Sequence, residues 1–244
     1  MQETKNNTWY TNWFDTPFYH ILYKDRDYAE AHLFINNITD YLNLPENAKV
    51  LDLACGRGRH AIYLNKLGYD VTGADLSKNS IEFAKEFEND TLHFEVKDMR
   101  EPMNEKFDAI FNLFTSFGYF PNDEDNLTAL KAIHNSLNDY GFAVLDFMNV
   151  VKVIENLVPE EVKEVDGITF HIKRWTSDGH IFKNIRFEHE NEAYDFTERV
   201  KALTLQDFEQ MMETAGIYLL DTFGDYKLRK FYPSESDRLI MIFK

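Results

Sequence analysis

Residues 50–58 read VLDLACGRG, and the order of residue types in this stretch is the strongest indication of the fold. Its first four residues have the apolar character of a buried strand, interrupted by Asp52. Small residues and the glycines Gly56 and Gly58 follow, and from Arg59 to Leu67 apolar residues recur at helical spacing. A glycine has no Cβ, so the backbone at such a loop can pass close to a ligand. The stretch therefore predicts a strand, a ligand-binding loop and a helix.

The alternation of strand and helix continues along the chain. Four more apolar stretches read as buried strands: residues 69–75, 92–96, 107–113 and 142–147. Ser77 is expected to cap a helix running to about residue 88, and Asn122 a helix through Leu137 that Gly141 ends. This alternation predicts a parallel sheet of five strands.

Further elements are predicted on both sides of this core. Apolar residues at helical spacing predict an amphipathic helix over residues 27–43. Thr204 and Asp207 resemble a capping box that opens a helix ending near Gly216. Residues 217–223 and 239–243 read as two strands that close the sheet as a hairpin. We therefore predict an α/β fold, a doubly wound Rossmann-like sheet of seven strands with a C-terminal antiparallel hairpin.

Between about residues 160 and 200 the apolar period changes to two. Asp166-Gly167 and the triplet 177–179 are turn signals, so we interpret this region as an inserted antiparallel β meander. The sequence shows no flexible linker or internal repeat and predicts a single domain. Its parts are a helical lid or cap (1–45), a core (46–150 and 201–244) and the insertion (151–200).

Composition narrows the classes of partner. The 26 Lys and Arg against 42 Asp and Glu give a net charge of -16, which disfavours nucleic acid and anionic membranes. No apolar run approaches the roughly 20 residues that span a bilayer, so we expect no membrane association and a cytoplasmic location. Cys55 is the only cysteine, which excludes an intrachain disulfide and a multi-cysteine metal site. The sequence predicts no metal site.

Two cofactor classes fit the glycine loop. Asp75 ends the second predicted strand, where a carboxylate can accept hydrogen bonds from both ribose hydroxyls of a nucleoside. Residues 56–61 also fit the G-x-G-x-x-A phosphate fingerprint of nicotinamide enzymes. However, Asp52 would repel a pyrophosphate, Asp98 follows the third strand, and the sheet is expected to end in a hairpin. These features favour a nucleoside cofactor without phosphate.

Residues 49–147 and the terminal hairpin resemble the class I S-adenosylmethionine-dependent methyltransferases. Residues 52–58 look like the first motif of that family, with Ala54 where a glycine is commonest. The resemblance implies S-adenosylmethionine as cofactor and S-adenosylhomocysteine as product. Asn112 is followed by Leu-Phe-Thr and not by the Pro-Pro-Tyr of amino-group methyltransferases that act on adenine and glutamine. With the negative charge, this favours a small-molecule acceptor whose O, N or C atom is methylated.

The resemblance also assigns residues to the cofactor. Gly56 and its neighbours adjoin the methionine part, Asp75 holds the ribose, Asp98 accepts from the adenine amino group, and Met99 packs on the ring or bonds to it. Leu76 flanks the adenine, and Asn112, Leu113 and Phe114 border the sulfonium. The full set of expected cofactor residues is Asp52, Ala54, Gly56, Gly58, Asp75, Leu76, Asp98, Met99, Asn112 and Leu113.

The acceptor site and the catalytic group are less defined by the sequence. The resemblance implies that residues 116–119, after the fourth strand, lie in the acceptor pocket. Asp146 and Asn149 come at the end of the fifth strand, at the edge where open α/β sheets bind ligands. The expected acceptor residues are Phe117, Tyr119, Asp146 and Asn149. The catalytic residue is unknown, and the candidates are Tyr19, His20 and Tyr119. His20 and His60 can each take a proton near neutral pH, although a lone histidine is more often structural.

Three questions stay open at this point. Aromatic residues crowd positions 9–23, and they either form a lid over the cofactor or pack the first helix against the sheet. A nicotinamide-dependent oxidoreductase is the first alternative function, although no Tyr-x-x-x-Lys pair accompanies the fourth and fifth strands. The second alternative is a protein that binds the cofactor without catalysis.

Overall fold

A computed structural model describes residues 9–24 and 28–244 of the chain. The chain forms two compact units: Met1–Arg26 with Val153–Ala202, and Asp27–Lys152 with Leu203–Lys244. None of the helices in the described ranges is long and apolar enough to cross a bilayer. The division of the chain into lid, core and insertion stays a prediction.

The helices and strands are numbered in chain order. The helices are α1 (Trp9–Trp13), α2 (Pro17–Leu22), α3 (Tyr28–Leu42), α4 (Arg59–Lys66), α5 (Lys78–Ala84), α6 (Asp123–Ser136), α7 (Val150–Glu155) and α8 (Leu205–Ala215). The strands are β1 (Lys49–Leu53), β2 (Asp70–Asp75), β3 (Leu92–Val96), β4 (Phe107–Asn112), β5 (Leu137–Met148), β6 (Glu160–Val165), β7 (Ile168–Ser177), β8 (His180–His189), β9 (Glu192–Lys201), β10 (Leu219–Phe223) and β11 (Arg238–Phe243).

The larger unit contains a seven-stranded sheet in the order β10-β11-β5-β4-β1-β2-β3. Strands β1 to β5 run parallel, whereas β11 pairs antiparallel with β5 and β10 pairs antiparallel with β11. The predicted α/β fold with a terminal hairpin is confirmed. Because β1 lies between β2 and β4, the carboxyl ends of these three strands meet at one sheet edge, at Leu53, Asp75 and Asn112.

Alternation of residues along the strands divides the core between the two faces of this sheet. Val50 and Val71 belong to a cluster with buried residues of α3, α4 and α5. On α8, the buried Phe208 contacts Phe147 of β5 and Phe117. Apolar residues on both faces explain why the strands read as nearly continuous apolar runs.

The smaller unit contains an antiparallel sheet in the order β6-β7-β8-β9. The turns at Asp166-Gly167 and Asp178-Gly179 have positive φ at both residues, as two-residue hairpin turns require. A third turn at Glu190-Asn191 has the same geometry. This turn has no clear signal in the sequence, because glutamate is rarely found at positive φ. The predicted meander is confirmed.

The amino-terminal aromatic residues pack on this smaller sheet. Trp13 lies 4.7 Å from Phe196 between ring centroids, and Phe18 lies 4.8 Å from Phe187 and 4.7 Å from Tyr194. The alternative that these aromatics pack the first helix against the main sheet was therefore wrong about the sheet, since they contact the inserted sheet through α1 and α2. The lid function stays a prediction.

Some boundaries differ from the predicted ones. Helix α6 ends at Ser136 and β5 begins at Leu137, so Gly141 lies within a strand and does not end the helix. A Cβ at Gly141 would lie 2.6 Å from the carbonyl oxygen of Phe107, where the β4–β5 register shifts. The glycine thus permits a close approach of two strands.

Asn122 occupies the N-cap position without a side-chain capping bond, whereas the Thr204–Asp207 capping box is confirmed.

Candidate cofactor site at the carboxyl edge of the large sheet

The loop between β1 and α4 adopts a strained backbone that links β1 to β2. Ala54, Gly56 and Gly58 all have positive φ, of 63°, 56° and 80°. For Ala54 this conformation costs about 1–2 kcal/mol, which explains why glycine is commonest at that position of the motif. The N–H groups of Ala54 and Cys55 both donate to the carbonyl of Ala74, at 2.7 and 3.1 Å. These bonds hold the loop against the end of β2.

The two glycines of the loop have different environments. A Cβ at Gly58 would lie 2.7 Å from the ring of Phe94, so internal packing requires this glycine. A Cβ at Gly56 would meet no atom of the described protein within 4 Å. Within the described part of the chain, Gly56 therefore has room beside its Cα, as expected for a residue whose backbone approaches a ligand.

Asp75 lies beside Gly56. Its Oδ2 accepts from the N–H of Gly56 and its Oδ1 from the N–H of Ser77, both at 2.8 Å. The carboxylate is half-buried. These two bonds orient both oxygens of Asp75 at the carboxyl end of β2.

Asp52 lies beneath the loop and is 1% exposed. Its Oδ2 accepts from the N–H of Ala61 at 3.0 Å, so it satisfies a donor in the first turn of α4. Burial and the charge of Asp75 raise the pKa of Asp52 to about 7, against the opposing hydrogen bond from Ala61 and the charge of Arg59. Asp52 therefore titrates near neutral pH.

Asn112 presents an oxygen without a partner. Its Nδ2 donates to the carbonyl of Leu53 at 2.9 Å, which fixes the orientation of the amide. Its Oδ1 is buried and accepts no hydrogen bond from the residues that the structure describes. Because an unsatisfied buried acceptor costs about 1–3 kcal/mol, this oxygen indicates a place for a ligand donor.

Phe114 connects the end of β4 to the start of α4. Its ring stacks on His60 at 4.9 Å between centroids, and the guanidinium carbon of Arg59 lies 4.9 Å from its centroid. The Arg59 side chain also approaches Nε2 of His60 at 2.9 Å. His60 is thus buried in a stack. Sequence reasoning did not assign Arg59, although its place directly after the glycine loop is a signal for a residue near an anionic group.

Asp98 follows β3 and pairs with Arg100. The Arg100 Nε lies 3.0 Å from Oδ1 and its Nη2 2.6 Å from Oδ2. Burial would raise the pKa of Asp98, but hydrogen bonds and charge from Arg100 outweigh burial and lower it. Leu76 is 39% exposed and Met99 is half-buried. Arg100, which the sequence does not single out, forms an ion pair with Asp98 within the protein.

The expected acceptor residues are engaged within the protein. Phe117 is fully buried between Phe120 and Phe208, and the Tyr119 hydroxyl donates to the carbonyl of Thr115. Asp146 is fully buried. The Nδ2 of Asn149 donates to the carbonyls of Pro233 and Ser236, at 2.8 and 2.7 Å.

Tyr19 and His20 lie on α2 in the smaller unit. Tyr19 contacts the rings of Trp13 and Tyr23, and the ring of His20 lies 5.3 Å from that of Tyr19. The catalytic roles of Tyr19, His20 and Tyr119 stay predictions.

The sheet order, the glycine loop and the acidic strand ends are accompanied by a family match. Residues 50–141 match the family model described as a methyltransferase domain. This chain is a class I S-adenosylmethionine-dependent methyltransferase. The methyltransferase uses S-adenosylmethionine as its cofactor, so it is not the nicotinamide-dependent oxidoreductase of the first alternative. The methyltransferase relatives also favour an enzyme over a protein that only binds the cofactor.

Similar proteins span most of the methyltransferase. It is 27% identical over 195 residues to a putative methyltransferase, YqeM, of Bacillus subtilis, which covers 75% of this chain and 79% of the relative. It is 26% identical over 191 residues to a glycine/sarcosine N-methyltransferase of Halorhodospira halochloris, covering 73% and 69%. A crystal structure of an S-adenosylmethionine-dependent methyltransferase from Clostridium acetobutylicum matches with a TM-score of 0.79 and 23% identity, covering 96% of this chain and 98% of that chain.

Proposed function

We propose that this methyltransferase binds S-adenosylmethionine against the β1–α4 loop, Asp75 and Asn112, and methylates the nitrogen of a small-molecule amine. The observation that carries the site is the buried, unpartnered Oδ1 of Asn112, close to the end of β1. A buried acceptor of this kind suits the α-ammonium group of the cofactor, which has three donors.

The other groups around the loop match the cofactor in chemistry. Gly56 leaves room for the methionine part, and the carboxylate of Asp75 offers an acceptor group to the ribose hydroxyls. Arg59, at the first residue of α4, supplies a cation for the methionine carboxylate where the helix N-terminus also favours negative charge. A pyrophosphate in the same place would be repelled by the carboxylate of Asp75. The residues therefore fit S-adenosylmethionine.

Adenine is assigned to Leu76, Met99 and Asp98. The apolar side chains of Leu76 and Met99 provide surfaces for the ring, and exposure of Leu76 leaves it free to be covered. Asp98 accepts from the Arg100 backbone and guanidinium. The guanidinium fixes the carboxylate and keeps it ionised, so a remaining lone pair can accept from the adenine amino group.

When bound, S-adenosylmethionine would supply a methyl group from its positively charged sulfur: the lone pair of the acceptor nitrogen bonds to the methyl carbon while the carbon–sulfur bond breaks and its electron pair stays on sulfur, which leaves S-adenosylhomocysteine. The protein's contribution is to hold the cofactor, to align the acceptor and to exclude water. Asn112 and Arg59 would hold the two ends of the amino-acid group, and Asp75 the ribose. The reaction needs no covalent intermediate on a side chain.

The choice of an amine acceptor rests on charge and on similarity. The net charge of -16 attracts cations and repels polyanions. A glycine/sarcosine N-methyltransferase is among the relatives that cover more than two thirds of this chain. Both observations favour a small amine over nucleic acid.

Release of S-adenosylhomocysteine from S-adenosylmethionine tests this proposal. The acceptors are matched pairs that differ only in the nucleophile, such as glycine with glycolate, and an amino sugar with its hydroxyl counterpart. RNA and DNA oligonucleotides are included. We expect turnover with amines alone. Turnover with the hydroxyl member of a pair, or with an oligonucleotide alone, would overturn the assignment of the acceptor.

A further inference from the structure

Two consecutive residues after β4 adopt the left-handed backbone conformation. Phe114 has φ of 59° and Thr115 has φ of 61°. A bulky aromatic residue and a β-branched residue both disfavour this conformation, because Cβ crowds the carbonyl oxygen. Such a pair persists only where the surrounding structure holds it, and strained pairs of this kind cluster at functional sites.

Asp146 on β5 holds both of these residues. Its Oδ2 accepts from the N–H of Phe114 at 2.9 Å, and its backbone carbonyl accepts from the N–H of Thr115 at 3.0 Å. The same Oδ2 accepts from the hydroxyl of Tyr226 at 3.2 Å. One fully buried residue thus fixes the backbone at two successive positions.

Arg238 on β11 holds Asp146 and the same turn. Its Nε donates to Oδ1 of Asp146 at 2.8 Å, and its Nη2 donates to Oγ1 of Thr115 at 2.8 Å. Arg238 lies opposite Met148 in the β5–β11 register, so its guanidinium reaches back along β5 to the turn. The planar guanidinium can satisfy both acceptors at once, which a lysine cannot do with the same geometry.

The turn fixed by these two residues positions the ring of Phe114. That ring contacts His60, Arg59 and Tyr226, with 5.3 Å between the centroids of Phe114 and Tyr226. Arg59 and His60 are the first two residues of α4, directly after the glycine loop. The ring therefore forms a wall beside the loop that is proposed to receive the cofactor.

We propose that the Asp146–Arg238 ion pair is a positioning device for the cofactor site, and that it acts by holding Phe114 and Thr115 in the left-handed conformation. This assigns Asp146 a role other than acceptor binding, and it assigns Arg238 a role that the sequence does not indicate. The inference rests on the proposed site, because the wall matters for binding only if the cofactor lies against the β1–α4 loop.

Calorimetric titration with S-adenosylhomocysteine tests the device without knowledge of the acceptor. Arg238→Lys keeps the charge but loses the simultaneous contact with Asp146 and Thr115, and we expect it to weaken binding about tenfold. Thr115→Gly adopts positive φ without strain. We expect Thr115→Gly alone to bind with the affinity of wild type, and the double variant Arg238→Lys/Thr115→Gly to recover to that level.

Thr204→Ala is the matched control, because it removes the α8 capping box and lowers stability without touching residues 114 and 115. It should leave the affinity unchanged. If Arg238→Lys does not fold, Tyr226→Phe removes only the hydroxyl donor to Asp146 and should weaken binding about threefold, again with recovery on Thr115→Gly.

The outcomes separate the two claims. Absence of binding by wild type overturns the proposed function. Binding by wild type that Arg238→Lys leaves unchanged, or a loss that Thr115→Gly does not restore, overturns the positioning role.

Discussion

The N–H of Gly56 donates to Oδ2 of Asp75 at 2.8 Å, so the loop after β1 is bonded to the side chain that ends β2. Two residues 19 positions apart in the chain thereby form one edge of the site. A change at either residue should affect cofactor affinity more than the free energy of unfolding.

Asp75→Asn should weaken binding of S-adenosylmethionine about tenfold or more. The amide has fewer acceptor sites than the carboxylate, so the loop and the ribose hydroxyls would compete for one oxygen. Asp70→Asn is the matched control, because Asp70 begins the same strand at the opposite sheet edge. Calorimetry on both variants measures the difference, and equal affinities would contradict the assignment of the ribose to Asp75.

Gly56→Ala should lower affinity at least tenfold, since the added Cβ enters the space assigned to the methionine part. Gly68→Ala is the control: Gly68 also has positive φ, of 98°, and a Cβ there also meets no described atom within 4 Å. Both variants incur the same kind of backbone strain, about 1 kcal/mol. If both lost affinity equally, Gly56 would have no specific role in binding.

Asn112→Leu should lower the affinity for the cofactor and change the free energy of unfolding only slightly. The change removes one unsatisfied buried oxygen, but it also removes the amide that donates to the carbonyl of Leu53, and these opposing effects should keep the change in the free energy of unfolding below about 2 kcal/mol. Cofactor affinity should fall about tenfold, because the ammonium acceptor is lost. Asn126 on α6 also has a buried Oδ1 without a hydrogen-bond partner among the described residues, and Asn126→Leu should leave affinity unchanged.

The raised pKa of the buried Asp52 predicts that the free energy of unfolding depends on pH. Because its pKa is raised in the folded state to about 7, the folded protein binds more protons than the unfolded chain between about pH 4 and 7. The contribution of Asp52 to stability therefore falls as pH rises through this range and is constant above it.

Asp52→Asn keeps an acceptor for the N–H of Ala61 and does not titrate. Relative to wild type, it should gain about 2–3 kcal/mol in unfolding free energy between pH 5 and pH 8. Denaturant unfolding of both proteins at the two pH values measures this gain. A difference between the proteins that does not change with pH would show that Asp52 has an ordinary pKa.

The parts of the fold that depend on local pattern were predictable from the sequence. Buried parallel strands, the Thr204–Asp207 capping box and the Asp-Gly turns each have a short-range signature, and all are confirmed. The boundary at Gly141 was wrong because the reason for that glycine is the carbonyl of Phe107, which lies on another strand. A contact between strands leaves no local pattern in the sequence.

The residues of the candidate site likewise include some that the sequence predicts and some that it does not. The motif predicts Gly56 and Asp75, since the loop and strand end that carry them are contiguous in sequence. Arg100 and Arg238 were missed, because their partners Asp98 and Asp146 are recognised only from side-chain geometry. For Asp146 the expected edge position was correct, yet its complete burial and bonds to Phe114 and Thr115 depend on β11, which is distant in the chain.

Calorimetric titration of the purified protein with S-adenosylmethionine, S-adenosylhomocysteine and NADH in parallel, repeated with Asp75→Asn and Asp70→Asn, tests the cofactor site. We predict saturable binding of the first two ligands to wild type and Asp70→Asn, weaker binding to Asp75→Asn, and no binding of NADH. Binding of NADH alone would contradict S-adenosylmethionine as the cofactor. Binding of S-adenosylmethionine that Asp75→Asn leaves unchanged would contradict the assignment of the ribose to Asp75.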